Sequence, residues 1–480
     1  MFGLWSNEYT MSFKKIIVIY GSVFISFCSL MFLITGFLWS KDAGVWNCKD
    51  MQAGGDRANL DMARDIAVDQ KGNVYVTGYS YSRETDFDFV ILKYDAQGEL
   101  IWTERYNGPA NGTDYAQDLE LDGEGNVYVA GHSNGIGSSL DATIVKYDKD
   151  GHRLWVNRYD GPAKRDDYAY AVKLAPDGGI AVVGYSFGLG TEHDYLVLKF
   201  RADGRLLWKA RYNSPLNRDD VCETLAADKV GNVLVTGVDR TRESSYDMAT
   251  IKYDAGGQMK WLARYAGPGQ VFDAAEAVGV DTEGNVYVTG YSYRQETNFD
   301  FVTICYDAEG YERWVAKHDG PSHRIDRGLE LTIIPTGGVY VAGISFGQRT
   351  AADCMTIRYN EAGNQVWSAR YNGIGNEADV PQAIALDQES NVILAGYSRG
   401  QETGRDYFLI KYDHQGPQLW EARYNGPASQ EDAATAMVVD SKGCVYVTGY
   451  SYGSETDFDF VTLKYGPDGY LQWEARYQGK

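Results

Sequence analysis

From residue 57 onward the apolar positions fall in short β-branched or aromatic runs separated by polar turns, and no helical period of 3.6 is present. The runs read Val-Tyr-Val-Thr-Gly at 74–78, Val-Leu-Val-Thr-Gly at 233–237 and Val-Ile-Leu-Ala-Gly at 392–396. Nearly continuous apolar strands of this kind suit a sheet covered on both faces. The turns between them carry Asp-x-x-Gly-Asn (Asp69, Gly72, Asn73) and Tyr-Asp-x-x-Gly (Tyr94, Asp95, Gly98), the chemistry of tight hairpins. In the first unit this pattern predicts strand A over 63–69, B over 73–80, C over 88–95 and D over 100–106.

The unit then repeats. Trp102, Trp155, Trp208, Trp261, Trp314, Trp367, Trp420 and Trp473 stand 53 residues apart, as do Gly78, Gly131, Gly184, Gly237, Gly290, Gly343, Gly396 and Gly449. Four antiparallel strands per repeat, eight times over residues 57–480, predict an all-β fold: an eight-bladed β-propeller of four-stranded antiparallel blades. One such sheet is marginal by itself. Packed radially, each sheet covers the next, and no repeat is altered into a cap. Each blade is expected from one contiguous repeat, the alternative being a closing blade that borrows a strand from around Trp46.

The segments Ile66-Ala-Val-Asp69, Gly72-Asn-Val-Tyr-Val-Thr-Gly78 and Asp88-Phe-Val-Ile-Leu-Lys-Tyr-Asp95 resemble the bacterial β-propeller repeat family called SBBP, over about residues 57–480. The resemblance implies the architecture and no particular reaction. Asp95 to Trp102 is also similar to the tryptophan-docking motif of quinone-dependent dehydrogenases. It is one residue shorter, and the vicinal cysteine pair and the CxxCH haem site of those enzymes are absent.

Residues 16–39 carry no charge. As a helix they would span ~36 Å, against ~30 Å for the hydrocarbon core of a bilayer. They are read as one N-terminal transmembrane helix, a signal anchor. Lys14 and Lys15 precede it, so 1–15 are expected in the cytoplasm, 40–56 form a spacer, and the propeller is displayed outside the cytoplasm, periplasmic or at the cell surface. A cleaved signal peptide is the alternative. It would have a shorter apolar region and small residues at its cleavage site, and it leads to the same compartment.

Charge narrows the partners. Lys and Arg total 45 against 66 Asp and Glu, a net of −21, which argues against nucleic acid and anionic lipid as partners of the globular part. The six cysteines form no CxxC pair, and Cys305 and Cys354 are not expected to meet, so the thiols are read as free and buried.

The D–A and B–C connections are the longer ones, and strands A and C run the same way, so both emerge on one face, the candidate face for function. Two aspartate columns lie there. One precedes strand A: Asp61, Asp114, Asp167, Asp220, Asp273, Asp326, Asp379 and Asp432. The other opens strand C: Asp88, Asp141, Asp194, Asp247, Asp300, Asp353, Asp406 and Asp459. As a metal site, the first column would be a ring of carboxylates for a hard cation such as Ca²⁺; no other cofactor is expected. As structure, each aspartate would accept loop N–H groups, and this reading is preferred because one ligand seldom needs eight copies. A basic column, Arg105, Arg158, Arg211, Arg264, Lys317, Arg370, Arg423 and Arg476, is expected to pair with the first aspartates.

A third column varies. Tyr81, Phe187, Tyr293, Phe346 and Tyr452 put aromatic rings in the B–C loops, with Asn134, Arg240 and Arg399 breaking the series. Such rings could stack on a glycan or pack against the next loop. No HExxH, nucleophile elbow, P-loop or dinucleotide fingerprint is present, so no catalytic residue is assigned. The expected function is a membrane-anchored, non-enzymatic binding or interaction module for a glycan, envelope component or protein. An extracytoplasmic enzyme using carboxylates on polysaccharide and a passive structural scaffold are the alternatives. The enzyme reading requires acids with displaced pKa values in one cleft, the binding reading an exposed apolar or aromatic patch.

Overall fold

A computed structural model describes residues 60–242 and 245–479. The cytoplasmic stretch 1–15, the anchor segment 16–39 and the spacer 40–56 lie outside the described residues, as do residues 57–59. Among the described residues there are thirty-two strands in eight four-stranded antiparallel sheets. No helix of the described residues is long and apolar enough to cross a membrane.

The first blade sets the pattern. Its strands are β1 (Asp61–Val68), β2 (Val74–Ser82), β3 (Asp86–Tyr94) and β4 (Leu100–Tyr106), hydrogen-bonded in sequence order. Strand A therefore begins two residues before its expected start, and strands B and C extend into their loop. The A–B turn closes on Asp69, whose carboxylate accepts from Lys71 N–H and Asn73 N–H at 2.9 Å, with Gly72 in the left-handed region at φ 85°. The central strands are buried on both faces, while β4 starts exposed. The outermost strand of a radial sheet has little to cover it.

Both sequence rulers have a steric cause. A Cβ on Gly78 would lie 2.0 Å from the Met62 carbonyl oxygen, because strand A crosses closest to strand B there. Trp102 sends its indole N–H to the Lys149 carbonyl of the next blade at 3.2 Å and lays its ring against Gly151, where a Cβ would sit 3.1 Å away. A second staple accompanies it: the buried Lys93 ammonium reaches the same carbonyl at 2.7 Å. The tryptophan thus docks on the C–D turn of its neighbour in every blade, whether that turn reads Tyr-Asp-x-x-Gly or, as at 200–204, 359–363 and 465–469, departs from it.

The ring closes with each blade contiguous in sequence, without a borrowed strand. Trp473 donates to Ala96 O at 3.1 Å, Thr435 Oγ1 to Ala63 O at 3.1 Å, and Gly479 N–H to Asp61 Oδ2 at 2.6 Å. Ala63, Ile66 and Val76 of blade one share a core with Tyr446 and Phe460 of blade eight. Cys222, Cys305, Cys354 and Cys444 are buried and free.

Candidate functional site

The A strands of neighbouring blades meet all round the ring, so they surround the axis. The D–A and B–C connections cluster on one face beside it, and the aspartates stand at that face.

The first aspartate column is almost wholly buried, between 0% and 2% exposed. Every member accepts a backbone N–H from the end of the preceding blade. Asp273 takes Gly267, Asp326 takes Gly320 and Asp432 takes Gly426, each at 2.7 Å, and Asp379 takes Gly373 at 2.8 Å. Asp61, Asp114, Asp167 and Asp220 take Gly479, Gly108, Gly161 and Ser214 in the same way. Burial, only partly offset by these bonds, pushes Asp61, Asp114, Asp167, Asp326, Asp379 and Asp432 up to about 6.

Asp220 goes further, to about 7. Blade four has Asp239 where the other blades have Ser80, Ser133, Ser186, Ser292, Ser345, Ser398 and Ser451. That change removes a hydroxyl donor and adds a like charge.

The basic column does not pair with the first aspartates, contrary to the expectation. Arg105, Arg158, Arg370, Arg423 and Arg476 bond the second column instead: Asp88 at 3.1 Å, Asp141, Asp353 and Asp406 at 2.9 Å, and Asp459 at 2.7 Å. Arg211 pairs likewise with Asp194. The register explains this. Arg105 sits opposite Val90 on the same sheet, two residues from Asp88, while the first column is already filled by the loop N–H and the serine hydroxyl. In blade four Arg264 turns to Asp239 at 2.7 Å, and in blade five Asp300 meets Arg294 at 3.4 Å.

The aromatic column lies on the same face. Tyr81, Tyr293 and Tyr452 are half-buried and meet their cross-strand neighbours Phe87, Phe299 and Phe458 edge-on, with centroids 5.4, 5.4 and 5.3 Å apart. Phe187 packs on His193 beneath the Arg165 guanidinium at 3.7 Å, and Phe346 is buried under Arg324 at 4.4 Å.

Two features were not anticipated. The first is in the channel. Each A strand carries a β-bulge, between Ala63 and Asp65 in β1, and the extra residue leaves the regular alternation. The bulge column reads Arg64, Gln117, Tyr170, Glu223, Glu276, Leu329, Gln382 and Thr435. Its variability among otherwise constant columns was the available signal. Around it sit half-buried acids. Burial, aided by the Glu276 charge, pushes Glu223 up to about 7 and Glu330 up to about 8, and burial with the Asp65 charge holds Asp118 well above the carboxylate range. These side chains are only partly exposed, and burial is the largest cause of each shift. Some of the acids also seal the inner edge: Asp65 accepts Leu119 N–H at 2.9 Å and Asp118 accepts Val172 N–H at 2.6 Å, each in the next blade.

The second feature is an apolar belt at the opposite end, where strand D leaves the short C–D turn. Every blade contributes an exposed large apolar or aromatic side chain there, such as Ile101 (51%), Leu154 (51%), Leu207, Met259, Tyr311 (73%), Val366, Leu419 and Leu471. They do not share one register: Ile101, Leu154, Leu207, Val366 and Leu419 occupy one position, Met259 and Leu471 the position before it and Tyr311 the one before that, so apolar character recurs at the start of strand D without forming one unbroken row.

A family model described as outer membrane protein assembly factor BamB matches residues 37–291. The WD repeat-containing protein L264 of Acanthamoeba polyphaga mimivirus, described as uncharacterized, is 20% identical over 388 residues, 58% of this chain and 27% of its own length. Regulatory protein FlaEY of Caulobacter vibrioides is 29% identical over 114 residues, 21% of this chain and 12% of its own. The chain thus spans less than a third of either relative. A crystal structure of a eukaryotic initiation factor aligns over 86% of this chain and 88% of its own, with 10% identity and a TM-score of 0.47.

Proposed function

The chain belongs to the family described as outer membrane protein assembly factor BamB, and on that premise we propose that it is a non-enzymatic interaction module that holds another polypeptide. The observation that carries this reading is the exposed apolar side chain at the start of strand D in every blade, five of them at one register. Strand D is an edge strand whose outer backbone groups have no partner within the blade, and apolar side chains along such an edge favour an added strand or an apolar protein surface over a glycan. The half-buried aromatics Tyr81, Phe187, Tyr293 and Tyr452 offer a second contact on the long-loop face. The repeated Asp, Arg, Lys and Trp side chains are engaged within and between blades and form the rigid frame. From the family's description we carry over contact with envelope proteins. From the sequence we carry over the SBBP-type repeat, the 16–39 anchor and display outside the cytoplasm.

Photo-reactive residues placed at Ile101, Leu154 and Tyr81 in intact cells test this. Discrete protein adducts from the belt positions are expected. Adducts from none of the three would leave the passive scaffold as the better reading. An alkaline phosphatase fusion after residue 60 should be active if the propeller is extracytoplasmic, and inactivity would refute that placement.

The enzyme reading has one observation in its favour, the channel acids Glu223 and Glu330 with their raised pKa values. Acid-dependent release of reducing sugar from an envelope polysaccharide, lost in Glu330→Gln, would establish it.

A further inference from the structure

Between the outer strands of blades eight and one, where the ring closes, lies a groove of about 740 Å³. Leu100, Thr103 and Arg105 of β4 form one side, and Arg476, Tyr477 and Gln478 at the end of the last strand D form the other. Leu100 is 49% exposed and offers an apolar contact. No carboxylate is among these lining residues, although the chain as a whole is acidic. The two guanidiniums are held in place by Asp88 at 3.1 Å and Asp459 at 2.7 Å.

The other junctions show what belongs here. The residue at the position of Thr103 meets the last tyrosine of the preceding strand D. Val156, Leu262 and Val315 share a core with Tyr106, Tyr212 and Tyr265, and Lys209 stands 5.4 Å over the Tyr159 ring. In the two junctions that precede the seam the residue is glutamate. Tyr371 donates its hydroxyl to Glu421 and Tyr424 donates to Glu474, each at 2.7 Å. At the seam Thr103 is too short for that bond. Arg105 reaches the Tyr477 hydroxyl oxygen, but among the described residues no carboxylate accepts the Tyr477 proton. Ser368 is short as well, but it follows His318 rather than a tyrosine, so no hydroxyl is left over there.

We propose that this groove takes the glutamate or aspartate side chain of an extended acidic segment of a partner protein, its carboxylate accepting the Tyr477 hydroxyl as Glu421 and Glu474 accept those of Tyr371 and Tyr424. The inference rests on the reading of the chain as a protein-interaction module, and it names what the partner offers at the seam. A hydroxyl bonded to a carboxylate is about twice as strong as a neutral pair. The groove lies within the roughly 300–1,000 Å³ of ordinary ligand sites. The outer backbone of β4 has no partner within its blade, so an extended segment can pair along it while its acidic side chain enters the groove.

The test is fluorescence anisotropy of the full-length protein in mild detergent, with a labelled Val-Glu-Val-Glu-Val peptide and its Val-Gln-Val-Gln-Val counterpart as probes. The glutamate peptide should bind about tenfold tighter. Thr103→Glu installs the residue of two sister blades, so it should fold with a Tm at or above that of the unaltered protein, and it should lose binding because the groove is filled from within. Thr103→Ser leaves the groove open and should retain binding. Tyr477→Phe removes the donor alone and should bring the glutamate peptide down to the affinity of the glutamine peptide. Equal affinity for the two peptides, unchanged binding by Thr103→Glu, or no binding up to about 1 mM would each overturn the proposal. Free glutamate competing as well as the peptide would overturn the assignment to a polypeptide. Adducts from Ile101 without glutamate-peptide binding would sink this inference and leave the interaction module standing, whereas absent adducts count against the module itself.

Discussion

Asp220 is the most perturbed member of a buried carboxyl ring, and removing it should have a pH-dependent cost. Its carboxylate accepts Ser214 N–H and Arg240 N–H, is 0% exposed, and lies near the Asp239 charge. Asp220→Ala leaves two buried N–H groups unsatisfied, a loss of about 2–4 kcal/mol when the native side chain is at its most favourable. The native pKa stands at about 7 against an ordinary 3.8. A raised carboxyl pKa stabilises the fold at low pH, and that contribution is lost as pH rises through the folded value. Each tenfold step in proton affinity is worth about 1.4 kcal/mol. Between pH 5 and pH 8 the folded group gives up its proton while the unfolded group is already ionised, so about 2.5 kcal/mol of its contribution disappears. The substitution should therefore cost about 2–3 kcal/mol less at pH 8 than at pH 5. Urea melts of both proteins at the two pH values measure this. An equal cost at both would refute the assignment of a protonated, desolvated carboxyl at this position.

Three further outcomes are expected. Gly257 has φ 87° and a Cβ there would lie 2.6 Å from the Trp208 ring, so Gly257→Ala should lower stability by about 2–3 kcal/mol and shift tryptophan emission; an unshifted spectrum would count against the docking. Cys305 interrupts a column in which Lys93, Lys146 and Lys464 each reach a carbonyl of the next blade over a tyrosine ring. Cys305→Lys should place an ammonium over Tyr287 near Glu361 O and raise stability by about 1 kcal/mol in thermal melts, whereas a drop would mean that the lysine finds no partner. Asp247 accepts the Thr241 and Ser245 hydroxyls, so Asp247→Ala should cost about 1–3 kcal/mol in urea melts, and an unchanged midpoint would contradict a structural role.

The propeller was legible because a ring of identical junctions makes the same demands in every repeat. Gly78 and Trp102 recur for steric reasons that do not vary from blade to blade, and Asp69 recurs because one turn geometry recurs. The Arg105 pairing was misjudged because two aspartate columns lie within reach on one face, and only the C–D register separates Asp88 from the first column. The channel column was missed because the bulge after Ala63 shifts side-chain parity by one, which a strict two-residue alternation cannot register. The apolar belt was missed for another reason: Ile101 and Leu154 read as ordinary strand residues until the outermost strand is known to have no neighbour.

The seam between blade eight and blade one carries the same bonds as every other junction, so no repeat holds a privileged position. For the gene, this makes the blade a unit of exchange. Misaligned crossover between two repeats would delete or duplicate one 53-residue block in frame, and the flanking blades would meet through an unchanged Trp-to-carbonyl and Asp-to-N–H pattern, with only the angle between sheets to adjust. Such lineages can change blade number in single steps, and the identical 53-residue spacing of all eight tryptophans is what duplication without later insertion would leave behind.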